Sequence, residues 1–159
     1  MTEGGRVYRV LLVGIGSPFG ADRLGWQAVS ALQSRLSAAA FPCFSFRFEQ
    51  SDRPGSGLLN LLRECDVALL FDAMISGAEP GSVRRFAVDE LASCSGFLSS
   101  HGFGVADALA LGRQLQLLPP TLLVYGIEAD PALQWTELPS RSLASLVQLV
   151  LNDLTDLRR

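Results

Sequence analysis

Apolar residues in this chain fall into two alternating kinds of run. Residues 7–13, 67–71 and 121–127 are short, nearly unbroken apolar stretches rich in Val, Leu and Ile. They are too brief for helices and fit strands buried on both faces of a parallel sheet. Residues 43–48 alternate instead, which sets Phe44, Phe46 and Phe48 on one face of a further strand. Between these strands the apolar positions recur at helical spacing. Gly25, Val29, Leu32 and Leu36 predict a helix that Pro42 stops, and Leu58, Leu61 and Leu62 a short one. Val105, Leu109 and Leu115 predict a helix over residues 104–117, ended by Pro119-Pro120. The strongest stripe comes last, after Pro139: Leu143, Leu146, Val147, Val150, Leu151, Leu154 and Leu157. Glu79-Pro80-Gly81 marks a turn, and residues 82–88 read as a strand whose two arginines suit a sheet edge. Strands alternating with helices predict the α/β class. The expected architecture is a three-layer sandwich, with a twisted, mostly parallel sheet of about five strands and helices on both faces, of phosphorylase/hydrolase-like type. One domain over residues 1–159 accommodates every element.

Composition narrows the possible functions. A chain of 159 residues that is 48% apolar can bury a sizeable core. No apolar run reaches the roughly 18 residues of a membrane span. Arg6 and Arg9 precede an apolar stretch that enters a glycine loop directly, unlike a signal peptide. A cytoplasmic location is therefore expected, with no membrane partner. A net charge of −3 with scattered basic residues leaves no nucleic-acid footprint. All 13 basic residues are arginine, which excludes Schiff-base chemistry and a P-loop lysine. Cys43, Cys65 and Cys94 are widely spaced and form no C-x-x-C pair, so reduced, mostly buried thiols are expected.

In open α/β sheets ligands bind beyond the carboxyl ends of the strands. Asp22 follows the first strand, Asp72 closes the third, and His101 precedes the helix that leads to the last. His101 is the only histidine in the chain. Two carboxylates about 4 Å apart repel by about 4 kcal/mol at an effective dielectric near 20, unless a proton, an arginine or a cation offsets them. Two carboxylates and a neutral imidazole make a partial coordination set for zinc or nickel, with positions left open. Structural readings of the same residues stay open: Asp22 as a helix N-cap, Asp72 bonded to loop amides, and His101 as a polar loop residue. Glu49 and Asp52 fall where the second strand would line the crevice, while Asp66 and Asp107 suit solvated helix ends. Gly14-Ile15-Gly16 invites a dinucleotide reading, but Phe19 stands where the third glycine belongs. No G-x-S-x-G elbow is present, and Cys94 lies seven residues before His101 as a remote nucleophile candidate.

Several motifs together carry a resemblance. Val10-Leu11-Leu12-Val13-Gly14-Ile15-Gly16-Ser17 and then Gly20-Ala21-Asp22-Arg23-Leu24-Gly25 resemble the N-terminal signature of the NiFe-hydrogenase maturation endopeptidases. Asp66 to Asp72 with Ala73 resembles that family's second strand-end motif, and Glu79-Pro80-Gly81-Ser82-Val83 a further turn. Ser99, His101, Gly104, Ala106 and Asp107 match its S-x-H-x-x-G-x-A-D pattern, and Gly126-Ile127-Glu128 the end of its last strand. The motifs run in order over most of the chain. The resemblance implies a twisted sheet between helices and an aspartic-type endopeptidase. Such an enzyme clips a C-terminal extension from the hydrogenase large-subunit precursor after nickel insertion. It further implies that Asp22, Asp72 and His101 engage the metal and are required for cleavage. The nickel is supplied by the substrate, no cofactor is held permanently, and the peptidase is expected to be a monomer. Ser17, Ala21 and Arg23 depart from the family pattern, as does Gln50-Ser51-Asp52-Arg53-Pro54, which replaces a glycine pair. Those departures keep a second reading alive, a non-cleaving metal-dependent assembly chaperone of the same fold.

Overall fold

The computed structural model describes residues 5–17, 20–52, 57–91, 93, 104–130, 132 and 137–159. Five strands, β1 (Tyr8–Gly16), β2 (Phe44–Asp52), β3 (Val67–Met74), β4 (Val83–Ala87) and β5 (Thr121–Glu128), form one sheet in the order β2-β1-β3-β5-β4. β1, β2, β3 and β5 run parallel, and only the edge strand β4 is antiparallel. Parallel neighbours need crossovers. These carry α1 (Leu24–Gln33), α2 (Gly57–Leu62), and the pair α3 (Val88–Leu91) and α4 (Val105–Gln114). α5 (Ser140–Leu157) follows β5.

Side chains alternate across each strand, so the sheet has two cores. Val10, Leu12, Leu69, Phe71 and Tyr125 pack with α1 and α5 on one face. Leu11, Val13, Leu70 and Val124 pack with α2 and α4 on the other. Every residue of β3 is buried, which explains its unbroken apolar run. Each leucine fully removed from water contributes about 1.5–3 kcal/mol. Phe44, Phe46 and Phe48 do share one face of β2, where successive rings lie 6.0 and 6.2 Å apart.

Four strands run further than the apolar pattern predicts, and β2, read over residues 43–48, reaches Asp52. β1 continues through Gly14, Ile15 and Gly16 because these residues keep their partners Gln50, Ser51 and Asp52 on β2. β3 continues through Asp72 to Met74 and β5 to Glu128, paired with each other to the end. Backbone pairing, not side-chain polarity, sets those ends. The four-residue α3 has no periodic signal to betray it.

The amino ends of the strands are closed by ion pairs. Asp66 sits at the entry to β3 instead of a solvated helix end. It accepts the Arg9 backbone N–H at 2.8 Å and pairs with the Arg6 and Arg9 guanidinium groups at 3.1 and 3.3 Å. The backbone bond, with the Arg9 side chain second, holds its carboxyl down at about 2. Cys43 and Cys65 are free thiols, and burial pushes Cys65 up to about 11; Cys94 lies outside the described residues. Among the described residues no helix is long and apolar enough to cross a membrane.

Candidate active site at the β1–β3 switch point

From β1 the chain steps to β2 on one side and then to β3 on the other. The strand order therefore reverses between β1 and β3, and their carboxyl ends frame the crevice where such sheets bind ligands. Asp22 follows the first of these strands and Asp72 belongs to the second.

Glycines bring α1 against this crevice. A Cβ on Gly25 would lie 2.3 Å from the Ile15 carbonyl oxygen and 2.5 Å from that of Phe71. A Cβ on Gly14 would lie 2.4 Å from the Gly25 oxygen. Only bare backbone lets the helix start directly over the β1–β3 junction. The glycines thus serve strand-to-helix packing, which accounts for the Gly14-Ile15-Gly16 motif without a dinucleotide. A Cβ on Gly16 would fall 1.9 Å from the Asp22 carbonyl oxygen. The Ser17 N–H donates to that same oxygen at 3.2 Å and closes the loop.

Asp22 lies in a 3-10 turn, Gly20–Arg23, packed onto β1 and β3. It is half-buried, and one of its carboxylate oxygens lies 3.6 Å from the position of a Cβ on Gly16. It does not occupy the N-cap of α1. Arg23 holds that position and makes no side-chain capping bond. Asp72 is fully buried within β3, inside the strand and not beyond its end. Leu70 and Met74, two residues to either side, pack in the core beneath α2 and α4, so Asp72 faces that side of the sheet. Its register partner on β5 is Gly126, which places no side chain beside the carboxylate.

His101 lies outside the described residues, as do Cys94 and Ser99. The chain re-enters at Gly104, which caps α4. Val105, Ala108 and Leu109 of that helix join the core on the face toward which Asp72 points. The Asp107 carboxylate accepts the Gly104 N–H at 3.3 Å, a helix-end role as expected. Glu49 is held by Arg47 at 2.9 Å, whereas Asp52 is exposed at the end of β2 opposite Gly16, on the rim of the crevice. The described residues thus bring two of the three candidates to one edge. Among those residues no cluster of three or more His, Cys, Asp or Glu is assembled to hold a metal.

Glu128 carries more of this edge than its place in a motif suggests. It is 1% exposed at the end of β5, and its carboxylate accepts hydrogen bonds from residues that follow β3. An acid directly after an apolar strand was the available signal. A cleft of about 410 Å³ between Arg113, Gln116 and Pro120 opens at the opposite, amino end of the sheet, away from both acids.

A mostly parallel sheet with acids at the carboxyl ends of its two switch-point strands defines an α/β protein with a candidate site at that crevice. The hydrogenase maturation protease family model, HycI, matches residues 54–153, and the chain belongs to this family. HupD of Thiocapsa roseopersicina, a hydrogenase expression/formation protein, is 31% identical over 122 residues, covering 75% of this chain and 53% of HupD. The chain spans little more than half the length of the curated relatives it matches. The hydrogenase-maturating endopeptidase HybD of E. coli superposes with a TM-score of 0.71 at 22% identity, over 93% of each chain. A second endopeptidase structure from Escherichia coli gives 0.74 at 22% identity, again over 93% of each. These structures share the fold.

Proposed function

We propose that this chain is an endopeptidase that removes a C-terminal extension from a nickel-loaded NiFe-hydrogenase large-subunit precursor. Asp22, Asp72 and His101 recognise the metal carried by that substrate. The observation that carries the proposal is the placing of Asp22 and Asp72 at the carboxyl ends of β1 and β3 in a member of this protease family. A crevice with two carboxylates binds well only when a cation offsets their repulsion. Such a site admits precursor that has received its nickel and rejects empty precursor. Once seated, the cargo cation supplies Lewis acidity at the scissile bond. Asp22 and Asp72 hold it there as hard oxygen ligands, and His101 adds a borderline nitrogen ligand. Hydrolysis consumes one water and leaves a new carboxylate on the large subunit and a new amino group on the released extension. The protein acts as a cytoplasmic monomer in this reading.

The test is incubation with nickel-loaded and nickel-free precursor. Loaded precursor is expected to be shortened and empty precursor left intact. Asp72→Asn, which keeps the shape and removes the charge, is expected to lower cleavage by at least about a hundredfold with the fold retained by circular dichroism. Cleavage that ignores nickel, or inertness toward both precursors, overturns the proposal. The non-cleaving assembly chaperone is favoured by Arg23, exposed beside Asp22 where the family has a small residue. Nickel-dependent binding of the precursor without shortening selects it.

A further inference from the structure

We infer that Glu128 is a positioning residue that fixes the β3–β4 connection, residues 75–82, as a preformed wall of the site. Through it, Glu128 sets affinity for the substrate segment beside the cut. The inference rests on the protease reading for what the wall contacts.

Glu128 and Met74 are the last paired residues of β5 and β3, two positions beyond the Asp72–Gly126 pair. The Glu128 Oε1 accepts the Ser76 N–H at 2.7 Å and the Gly77 N–H at 3.1 Å. Its Oε2 accepts the Ser76 hydroxyl at 2.7 Å. The main chain of the same residue ties the far end of the connection. The Gly81 N–H donates to the Glu128 carbonyl at 2.8 Å, and the Glu128 N–H donates to Ser82 at 2.9 Å. One residue therefore grips both ends of the segment that leaves β3 beside Asp72. Gly77 and Gly81 both sit at φ +87°, a conformation that lets the chain fold back onto Glu128.

Closing β5 requires no acid, because an apolar residue would bury at lower cost. Burying a carboxylate is penalised by several kcal/mol unless its oxygens are satisfied. Here three donors from one short turn satisfy them, so the side chain chosen at this position specifies the turn. What the turn presents outward is Ile75, 39% exposed, three residues beyond Asp72 on the same strand end. In this reading an extended segment that approaches Asp72 over the end of β3 meets Ile75 and the turn backbone.

The test combines hydrogen exchange with kinetics on the whole protein, in wild type, Glu128→Gln and Ser76→Ala. In Glu128→Gln, exchange at Ser76 and Gly77 is expected to accelerate about tenfold to a hundredfold, the loss of charge-assisted bonds, while the Leu69 and Val124 amides stay protected. The KM for loaded precursor is expected to rise about tenfold, with the single-turnover rate at saturation changed by less than about threefold. Ser76→Ala is expected to move both quantities the same way by less, and it decides the matter if Glu128→Gln does not fold. Unaltered exchange overturns the clamp. Faster exchange with unaltered affinity overturns the wall. A lost saturating rate at unchanged KM means that Glu128 touches the reacting atoms instead. If wild type binds precursor without cutting it, the protease reading fails, and exchange and affinity still judge Glu128.

Discussion

A hydrogen atom in place of a methyl group is what lets Asp22 sit where it does. At Gly16 a Cβ would fall 1.9 Å from the Asp22 backbone oxygen, and backbone cannot yield as a flexible side chain can. Gly16→Ala is therefore expected to destabilise the fold by about 1–3 kcal/mol in urea unfolding, as overpacking does. It is also expected to abolish cleavage at denaturant-free conditions where most of the protein is folded, because the displaced turn carries Asp22. At the amino end of the sheet a different acid governs pH dependence. The Asp66 carboxyl is held at about 2 by the Arg9 backbone N–H and then by its guanidinium, against an ordinary value of about 3.9. A depressed carboxyl stabilises above its unfolded value, and that contribution drains as pH falls through the folded one. Asp66→Asn is expected to lower Tm at pH 7, with the gap closing as melts are taken down toward pH 2. Single residues were unevenly legible in the sequence. Asp72 stood out as an acid after an apolar run. Glu128 closes an apolar run too, but its role left no trace, because its partners Ser76 and Gly77 are 52 and 51 residues away.

At the scale of elements, periodicity located α5 and missed part of what it buries. Leu146, Val150 and Leu154 line its inner face as the stripe predicts, but Ser142 and Asp153 are buried on that face as well. A polar residue inside an apolar stripe gives no periodic signal, since its partner lies on another element. Asp153 accepts the Tyr125 hydroxyl of β5 at 2.6 Å and pairs with Arg85 of the edge strand β4. Tyr125 is fully buried and stacks on Phe71 with ring centres 4.9 Å apart. Burial first, and the bond to Asp153 second, push its phenol far above the usual tyrosine range. The cluster thus pins α5 and β4 to the strand that carries Gly126 and Glu128. Tyr125→Phe strands one buried carboxylate oxygen and is expected to cost about 1–2 kcal/mol in denaturant unfolding. A double-mutant cycle with Asp153→Asn is expected to return a coupling of about 1 kcal/mol; strict additivity would show the two side chains to be independent.

The whole molecule is polarised along its strands, and this polarity was the most legible property of the sequence. Alternating buried runs and helical stripes fix a parallel sheet, and a parallel sheet has one end where crossovers begin. Each end is built differently: ion pairs close the amino ends, whereas glycine contacts and the Glu128 clamp shape the carboxyl ends. What sequence pattern leaves out is distance, because Asp22 and Asp72 are brought to one edge by strand order and not by local spacing. That separation has a consequence for metal binding. In the proposed function the ligands come from remote segments and the substrate completes the set, so a free ion is expected to be held poorly. At a free nickel concentration equal to its Kd, linkage stabilises a fold by only about 0.4 kcal/mol. For a chain of this size that raises Tm by about 1–2 °C. Addition of 1 mM nickel chloride to the protein alone is expected to produce a shift no larger than this in a thermal melt, and none in Asp72→Asn. A rise of more than about 10 °C in wild type, absent from Asp72→Asn, would mean that the crevice retains a metal of its own. The nickel dependence of cleavage would then report the enzyme's own occupancy and no longer the state of its substrate.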